Sequence, residues 1–262
     1  MIKLINTEDL ATNRKVFLQN RQAKNQTIII CGGTGCKASR SQEVIDAINQ
    51  ELLTQEMDSM VHLRVTGCHG FCEQGPIMII EPGNTFYCQV TADDVYEIVT
   101  RTLRDGEIID RLLYTDPVSG SKIRTESEIP FYKAQERHLL SQNREINPLS
   151  IEDYIATGGY KALSHTLENL SPEETIREVK ISGLRGRGGG GFPTGRKWAE
   201  CSDVPSDEKY VICNADEGDP GAYMDRCLLE GNPFLVLEGM TIGAFAVGAT
   251  KGYVYVRNEY PL

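Results

Sequence analysis

The sequence predicts an α/β protein of two domains. Three observations carry this. Short apolar runs of strand length alternate with stretches of helical periodicity. Four cysteines, Cys31, Cys36, Cys68 and Cys72, fall in two close pairs, each just beyond a strand-like run. Seven glycines crowd residues 181–195. A chain of 262 residues has room for two domains, since one domain takes roughly 100–200.

In chain order, residues 1–25 read as a polar helical extension ending in RQAKNQ. Thr27–Cys31 is a short apolar run of buried-strand type. A helix follows the Gly/Thr/Cys loop, with Val44, Ile45, Ile48 and Leu52 at helical spacing. VHLRVT alternates Val61, Leu63 and Val65, the pattern of a half-buried strand. Residues 77–80 and 85–90 flank Pro82-Gly83-Asn84, a hairpin turn. Thr91 is placed to cap a last helix carrying Val95, Ile98, Val99 and Leu103 on one face. Residues 26–105 therefore describe a compact α/β domain. Residues 106–149 are polar, broken at Asp116-Pro117, Ser119-Gly120 and Asn147-Pro148, and read as a surface linker.

The second domain is expected over 150–262. Ser171-Pro172-Glu173-Glu174 supplies an N-cap, a proline at the first helical position and a glutamate at the third. The glycine loop follows, then a strand at 210–213, an acidic turn at 216–221, an apolar helix near 233–247 and a strand at 253–257. Nothing closes a sheet around the glycine loop, so this domain is expected to be incomplete.

Composition excludes several classes. No apolar run approaches the roughly 18 residues of a membrane span. The start, MIKLINTEDLATNRK, lacks the apolar stretch of a signal peptide. A net charge of −10 argues against general nucleic-acid binding, though a local basic patch can still hold a phosphate. Eight cysteines without a secretion signal point to a reducing, cytoplasmic setting, where clusters serve metal or redox chemistry.

The pairs Cys31-x4-Cys36 and Cys68-x3-Cys72 lie in strand-end loops with Gly32, Gly33, Gly35, Gly67, Gly70 and Gly75. A [2Fe-2S] cluster needs four converging thiolates and backbone amides close to its sulfurs. Structural zinc favours C-x2-C spacing and is the competing reading. His69 is expected to face solvent rather than to bind metal. Cys88, Cys201, Cys213 and Cys227 show no paired spacing and read as structural.

In the glycine loop, Arg185, Arg187, Arg196 and Lys197 bracket the glycines with four positive charges. Clustered N–H groups free of side chains suit phosphate oxygens. Gly186-x-Gly188-x-x-Gly191 matches the dinucleotide fingerprint in letters only: a helix precedes it and no acidic residue closes a following strand. No Ser or Thr follows the lysine as a Walker A loop requires. The reading is a nucleotide or flavin phosphate site of another type. Asn214, Asp216 and Glu217 at a strand end add groups able to bond ribityl hydroxyls or ring nitrogens.

GLRGRGGGGFPTGRKW (residues 183–198) and CNADEGDPGAYMDR (residues 213–226) resemble the flavin- and NADH-binding subunit of respiratory NADH dehydrogenases and its soluble relatives. The cysteine quartet resembles the thioredoxin-like [2Fe-2S] ferredoxin module of the same systems. Both in one chain are similar to the beta subunits of electron-bifurcating [FeFe]-hydrogenases and NAD-linked formate dehydrogenases. The resemblance implies a thioredoxin-like ferredoxin domain followed by the N-terminal part of an FMN/NADH-binding α/β domain. It implies FMN and NAD(H) contacts at Gly183, Arg185, Gly186, Arg187, Gly188, Gly189, Gly190, Gly191 and Lys197, with Phe192 by the nicotinamide and Asn214, Asp216 and Glu217 on FMN. It implies electron transfer between NAD(H) and iron–sulfur clusters beside other iron–sulfur subunits, with no catalytic acid or base named. The alternative is a non-enzymatic [2Fe-2S] electron-carrier or assembly subunit with an incomplete flavin platform. The family's later FMN segment and [4Fe-4S] motif have no counterpart here, so the chain is expected to be the front portion of such a subunit.

Overall fold

The computed structural model describes residues 6–258. They form two units: one runs to Thr157 and takes in Cys227–Asn232, and the other holds Gly158–Arg226 and the chain from Pro233 onward. The outermost residues of the expected N-terminal extension and second domain, 1–5 and 259–262, lie outside the described residues.

The first unit begins with α1 (Thr7–Gln22), capped by Asn6, whose side-chain oxygen accepts the Asp9 N–H at 2.8 Å. The sheet has the order β2-β1-β3-β4. Strand β1 (Gln26–Cys31) runs parallel to β2 (Val61–Thr66), and β3 (Met78–Glu81) runs antiparallel to both β1 and β4 (Thr85–Tyr87). Helices α2 (Thr34–Ala38) and α3 (Ser41–Thr54) connect the parallel pair. The hairpin between β3 and β4 turns at Gly83 and Asn84, whose φ values of 104° and 53° need the left-handed region. Asp94 accepts the Thr91 N–H and hydroxyl at 2.8 and 2.7 Å, starting a helical stretch that runs through α4 (Val95–Glu97) to Arg104. This order is the expected one.

The core explains the strand sequences. Ile28, Ile30, Met78, Ile80 and Tyr87 point to one face, against Val44, Ile48, Leu52, Ile98 and Leu103. Ile29, Cys31, Ile77, Ile79 and Phe86 point to the other, against Tyr114, Ile129 and Tyr132. Those last three come from the segment expected to be a linker. Residues 106–149 are instead part of the first unit. They carry β5 (Tyr114–Thr115), β6 (Lys122–Ile123) and α5 (Pro130–Lys133). They also finish the open edge of β4: the Phe86 N–H donates to the Arg124 carbonyl and the Cys88 N–H to the Leu112 carbonyl, both at 2.8 Å. A sheet apolar on both faces must be covered on both, and an unpaired edge must find partners.

Two more corrections follow. Strand β2 is covered on both faces rather than half-exposed: Leu63 and Val65 pack on the core, while Arg64 on the other face is 4% exposed. Arg64 lies 4.0 Å from Asp153 of α6 (Ile151–Ala156), which also meets Arg21 of α1 at 3.8 Å. The unit boundary therefore falls after α6, at Thr157, not at Ser150. Ser150 does cap α6, accepting the Asp153 N–H at 3.1 Å.

The second unit holds α7 (Lys161–Asn169), α8 (Pro172–Ile181), α9 (Thr194–Asp203), β7 (Tyr210–Ala215), the start of α10 (Met224–Gly231), α11 (Pro233–Val247) and β8 (Lys251–Val256). Ser171 and Glu174 form the expected capping box, with bonds of 3.2 and 2.9 Å. Strands β7 and β8 pair in parallel, Tyr210 opposite Lys251 through Ala215 opposite Val256. Helix α8 meets α9 at Gly195, where a Cβ would stand 2.6 Å from the Lys180 nitrogen. In α11, Glu238 is buried at 5% exposure, and its carboxylate accepts the N–H groups of Tyr160 and Leu163 at 2.8 and 3.0 Å. It thereby satisfies the start of α7, whose own N-cap offers no side-chain acceptor.

The packing of 106–149 sets an expected result. Residues 181–190 are all exposed, whereas Ile129 and Ile146 are 0% exposed. Limited trypsin digestion should cut first at Arg185 or Arg187 and spare 106–149. A first cut between Asp105 and Ser150 would restore the linker reading.

Candidate functional site

Four thiols converge at one end of the first sheet. Cys31 ends β1, and Cys36 sits in α2; both are 1% exposed. Cys68 and Cys72 follow β2, with Sγ atoms 4.0 Å apart. The two loops meet: the Cys31 Sγ donates to the Gly67 carbonyl at 3.5 Å, next to Cys68. Cys68 is half-buried and Cys72 exposed, which gives the site one buried pair and one pair toward solvent.

The glycines are there because the thiols are. A Cβ on Gly33 would stand 2.9 Å from the Cys68 Cβ, one on Gly35 2.8 Å from the Cys72 Sγ, and one on Gly75 2.7 Å from the Cys36 Sγ. Gly70, at φ +84°, turns its N–H onto the Cys68 Sγ at 3.2 Å. The Gly33 and Ile77 amides likewise favour the thiolate forms of Cys31 and Cys36. Thiolates that receive backbone N–H groups are what a cluster's terminal ligands require. Among the described residues, no three His, Cys, Asp or Glu side chains group around a point suited to a single ion. A binuclear cluster asks for two thiolates on each iron, and the residues present fit it.

The thiols share protons. The hydrogen bond to Cys36, with burial, pushes Cys31 up to about 12, while that same bond holds Cys36 below the ordinary thiol range. A hydrogen bond from Cys227 pulls Cys68 down, but the bond to Cys31 and burial outweigh it and push Cys68 up to about 12. Metal loading must therefore displace protons.

Two expectations change here. His69 is 3% exposed, not solvent-facing. Its Nε2 lies 2.7 Å from the Thr66 hydroxyl, and Arg137 donates to its carbonyl at 3.0 Å. Burial, with Arg137 and Arg144 nearby, holds its ring neutral down to about 3. Cys227 does not merely pack; it bonds Cys68. Nothing in its spacing signals this, because the contact spans the whole second motif region in sequence. Asn143 is a further residue the sequence did not flag: buried, it donates to the Cys68 carbonyl at 3.3 Å.

The glycine loop of the second unit links α8 to α9. Its base is closed by the Gly186 N–H to the Phe192 carbonyl and the Thr194 N–H to the Leu184 carbonyl, both 2.9 Å. Gly183, Gly189 and Gly191 take φ values of +67°, +99° and +57°. At Gly188, Gly189, Gly190 and Gly191 a Cβ would meet nothing within 4 Å. Their bareness serves no internal packing; it leaves room for something approaching from outside. The loop runs into the N-terminus of α9, which no side chain caps. Lys197 is exposed on the first turn. Arg185 donates back to the Gly191 carbonyl at 3.2 Å, Arg187 is exposed, and Arg196 lies 5.4 Å over the Phe192 ring. Open amides with cationic flanks fit a flavin phosphate.

The acidic turn follows β7. The Asn214 side chain accepts the Asp216 N–H at 3.1 Å. Asp216 is exposed, 4.0 Å from Arg257. Glu217 is turned inward: its carboxylate accepts the N–H groups of Asp225 and Arg226 at 3.0 and 3.2 Å.

Residues 2–103 match the family described as thioredoxin-like [2Fe-2S] ferredoxin, and residues 179–262 match the Nuo51 FMN-binding domain. The two matches lie in that order along the chain. The residues that match the ferredoxin family include the four thiols, and those that match the Nuo51 domain include the glycine loop. The chain is 56% identical over 117 residues to the NADP-reducing hydrogenase subunit HndC of Solidesulfovibrio fructosivorans, covering 45% of this chain and 24% of that one. It is 33% identical over 257 residues to the NAD-reducing hydrogenase HoxS subunit alpha of Cupriavidus necator, covering 93% of this chain and 39% of the relative. The chain thus spans well under half the length of the curated relatives it matches. A thioredoxin-like [2Fe-2S] ferredoxin from Aquifex aeolicus aligns at 28% identity and TM-score 0.33, covering 36% of this chain and all of that one. No helix among the described residues is long and apolar enough to cross a membrane.

Proposed function

We propose that this chain passes electrons between NAD(H) and an iron–sulfur cluster through FMN, as a module of a larger hydrogenase or dehydrogenase assembly in the cytoplasm. The observation that carries the reading is one chain holding both four converging thiols and a bare, cationic glycine loop. Cys31, Cys36, Cys68 and Cys72 would hold a [2Fe-2S] cluster. The loop from Gly183 through Gly186, Gly188, Gly189, Gly190 and Gly191 would present its amides to the FMN phosphate, with Arg185, Arg187 and Lys197 balancing its charge. Asn214 and Asp216 would bond the flavin's polar groups, and Glu217 would fix the turn that presents them. Phe192 would lie by the nicotinamide. Bound FMN would supply the conversion of a two-electron hydride into single electrons. No side chain need act as acid or base, and the partners would be other iron–sulfur subunits that accept or donate those electrons.

The full exposure of the loop favours a second reading, in which the chain carries electrons at its cluster alone. Iron, acid-labile sulfide and FMN should be counted on chain purified without oxygen, and NADH-driven viologen reduction measured with and without the remaining subunits. Activity that appears with partners and depends on FMN supports electron entry from NADH. A cluster-bearing chain that never binds FMN, even in the assembly, supports the carrier.

A further inference from the structure

Cys227 lies far along the chain from the four candidate ligands, yet it belongs to the unit that holds them. The segment Cys227–Asn232 is seated on the cysteine loops by several contacts. The Thr34 hydroxyl donates to Glu230 at 2.9 Å, beside Cys36 in sequence. A Cβ on Gly67 would stand 2.5 Å from the Gly231 Cα, and one on Gly231 2.4 Å from the Asn143 Nδ2. That same Asn143 nitrogen bonds the Cys68 carbonyl at 3.3 Å. Asn232 bonds Gln142 at 3.0 Å. Two bare glycines thus let the segment close over Cys68, and the seat is fixed on both sides of it.

We propose that Cys227 is a positioning residue for the cluster: held by this segment, its S–H donates to the Cys68 sulfur and tunes the cluster's reduction potential. The inference rests on the cluster reading above. Cys227 stands one helical turn before Gly231 on the same face of α10, and Gly231 abuts Gly67 next to Cys68, so Cys68 has two donors, the Gly70 amide at 3.2 Å and the Cys227 thiol. A ligating thiolate keeps lone pairs that can accept both. Donors to cluster sulfurs stabilise the reduced form, which carries one more negative charge, and so raise the potential. Four thiolates already complete two tetrahedral irons, so Cys227 has no vacant ligand position to take.

The test uses the full chain, purified without oxygen, in wild-type, Cys227→Ala and Cys227→Ser forms. Iron and sulfide are counted first, and the midpoint potential is then read by dye-mediated titration followed by electron paramagnetic resonance. Cys227→Ala should keep its cluster and shift its midpoint to a more negative value. Cys227→Ser, which restores a donor of nearly the same size, should return most of the way, and Cys213→Ala should not move it. A Cys227→Ala midpoint equal to wild type, or a serine variant shifted as far as alanine, would overturn the inference while leaving the cluster reading intact. Wild-type chain without iron and sulfide would overturn the cluster reading itself, and the inference with it.

Discussion

Replacing Cys36 with Ser strips the cluster: the variant should lose nearly all of the roughly two irons and two sulfides expected per chain. A serine hydroxyl holds its proton far more tightly than a thiol and is a poor iron ligand. Cys36 is 1% exposed, so no water can take the vacant position, and Gly75 leaves no space to rearrange. Cys72→Ser should also lose the cluster but less completely, because Cys72 is exposed and water or the new hydroxyl can reach the iron. Cys88→Ser should leave iron and sulfide unchanged. Cys88 is buried, and burial pushes its thiol up to about 12, so it stays protonated and inert. Colorimetric iron and sulfide counts with visible spectra decide this. Stoichiometric zinc without sulfide in anaerobically prepared chain would contradict the cluster.

The flavin site should respond to two changes of different kind. Gly189→Val should abolish measurable FMN binding. At φ +99° a β-branched residue is strained, and its side chain fills the clear space outside the loop. Lys197→Ala should weaken binding about 10- to 150-fold, the loss of one charge-assisted hydrogen bond worth roughly 1.5–3 kcal/mol. Both are read by quenching of flavin fluorescence. Affinity of the unaltered chain by itself should be weak, and NADH turnover small, because an open loop neither buries the isoalloxazine ring nor excludes water. Unchanged affinity in Lys197→Ala would remove the lysine from the site. Sub-micromolar FMN affinity with full turnover from this chain alone would mean the loop is a finished pocket.

Much of this was legible in the amino-acid order because the physics is local. TIIIC, VHLRVT and the Pro82-Gly83-Asn84 turn declare strands and a hairpin through side-chain volume and backbone freedom. Ser171 and Thr91 declare helix starts through hydrogen bonds three residues away. The cysteine pairs declare themselves because the members of each pair stand only five and four residues apart. The glycine loop declares itself because its bareness serves a ligand rather than a neighbour.

What escaped was decided at a distance. The runs IIIC and IMII are apolar at consecutive positions, the pattern of strands buried on both faces. Which residues cover the second face is a different matter: Tyr114, Ile129 and Tyr132 are scattered through a polar stretch with no period, and only packing gathers them. The alternation of VHLRVT reads as a half-buried strand, yet Arg64 is buried beside Asp153, far along the chain. His69 is buried beside Thr66, and Arg137, well along the chain, donates to its carbonyl. Cys227 reaches Cys68 across more than half the chain, through a segment seated by Gly67 and Gly231. The sequence by itself determined the strands and helices of residues 26–105, the cysteine pairs and the glycine loop, because each depends on neighbours within a few residues. The tertiary structure alone decided the second cover of the sheet, the boundary after Thr157 and the fifth thiol, because shape complementarity between distant segments leaves no periodic mark on either of them.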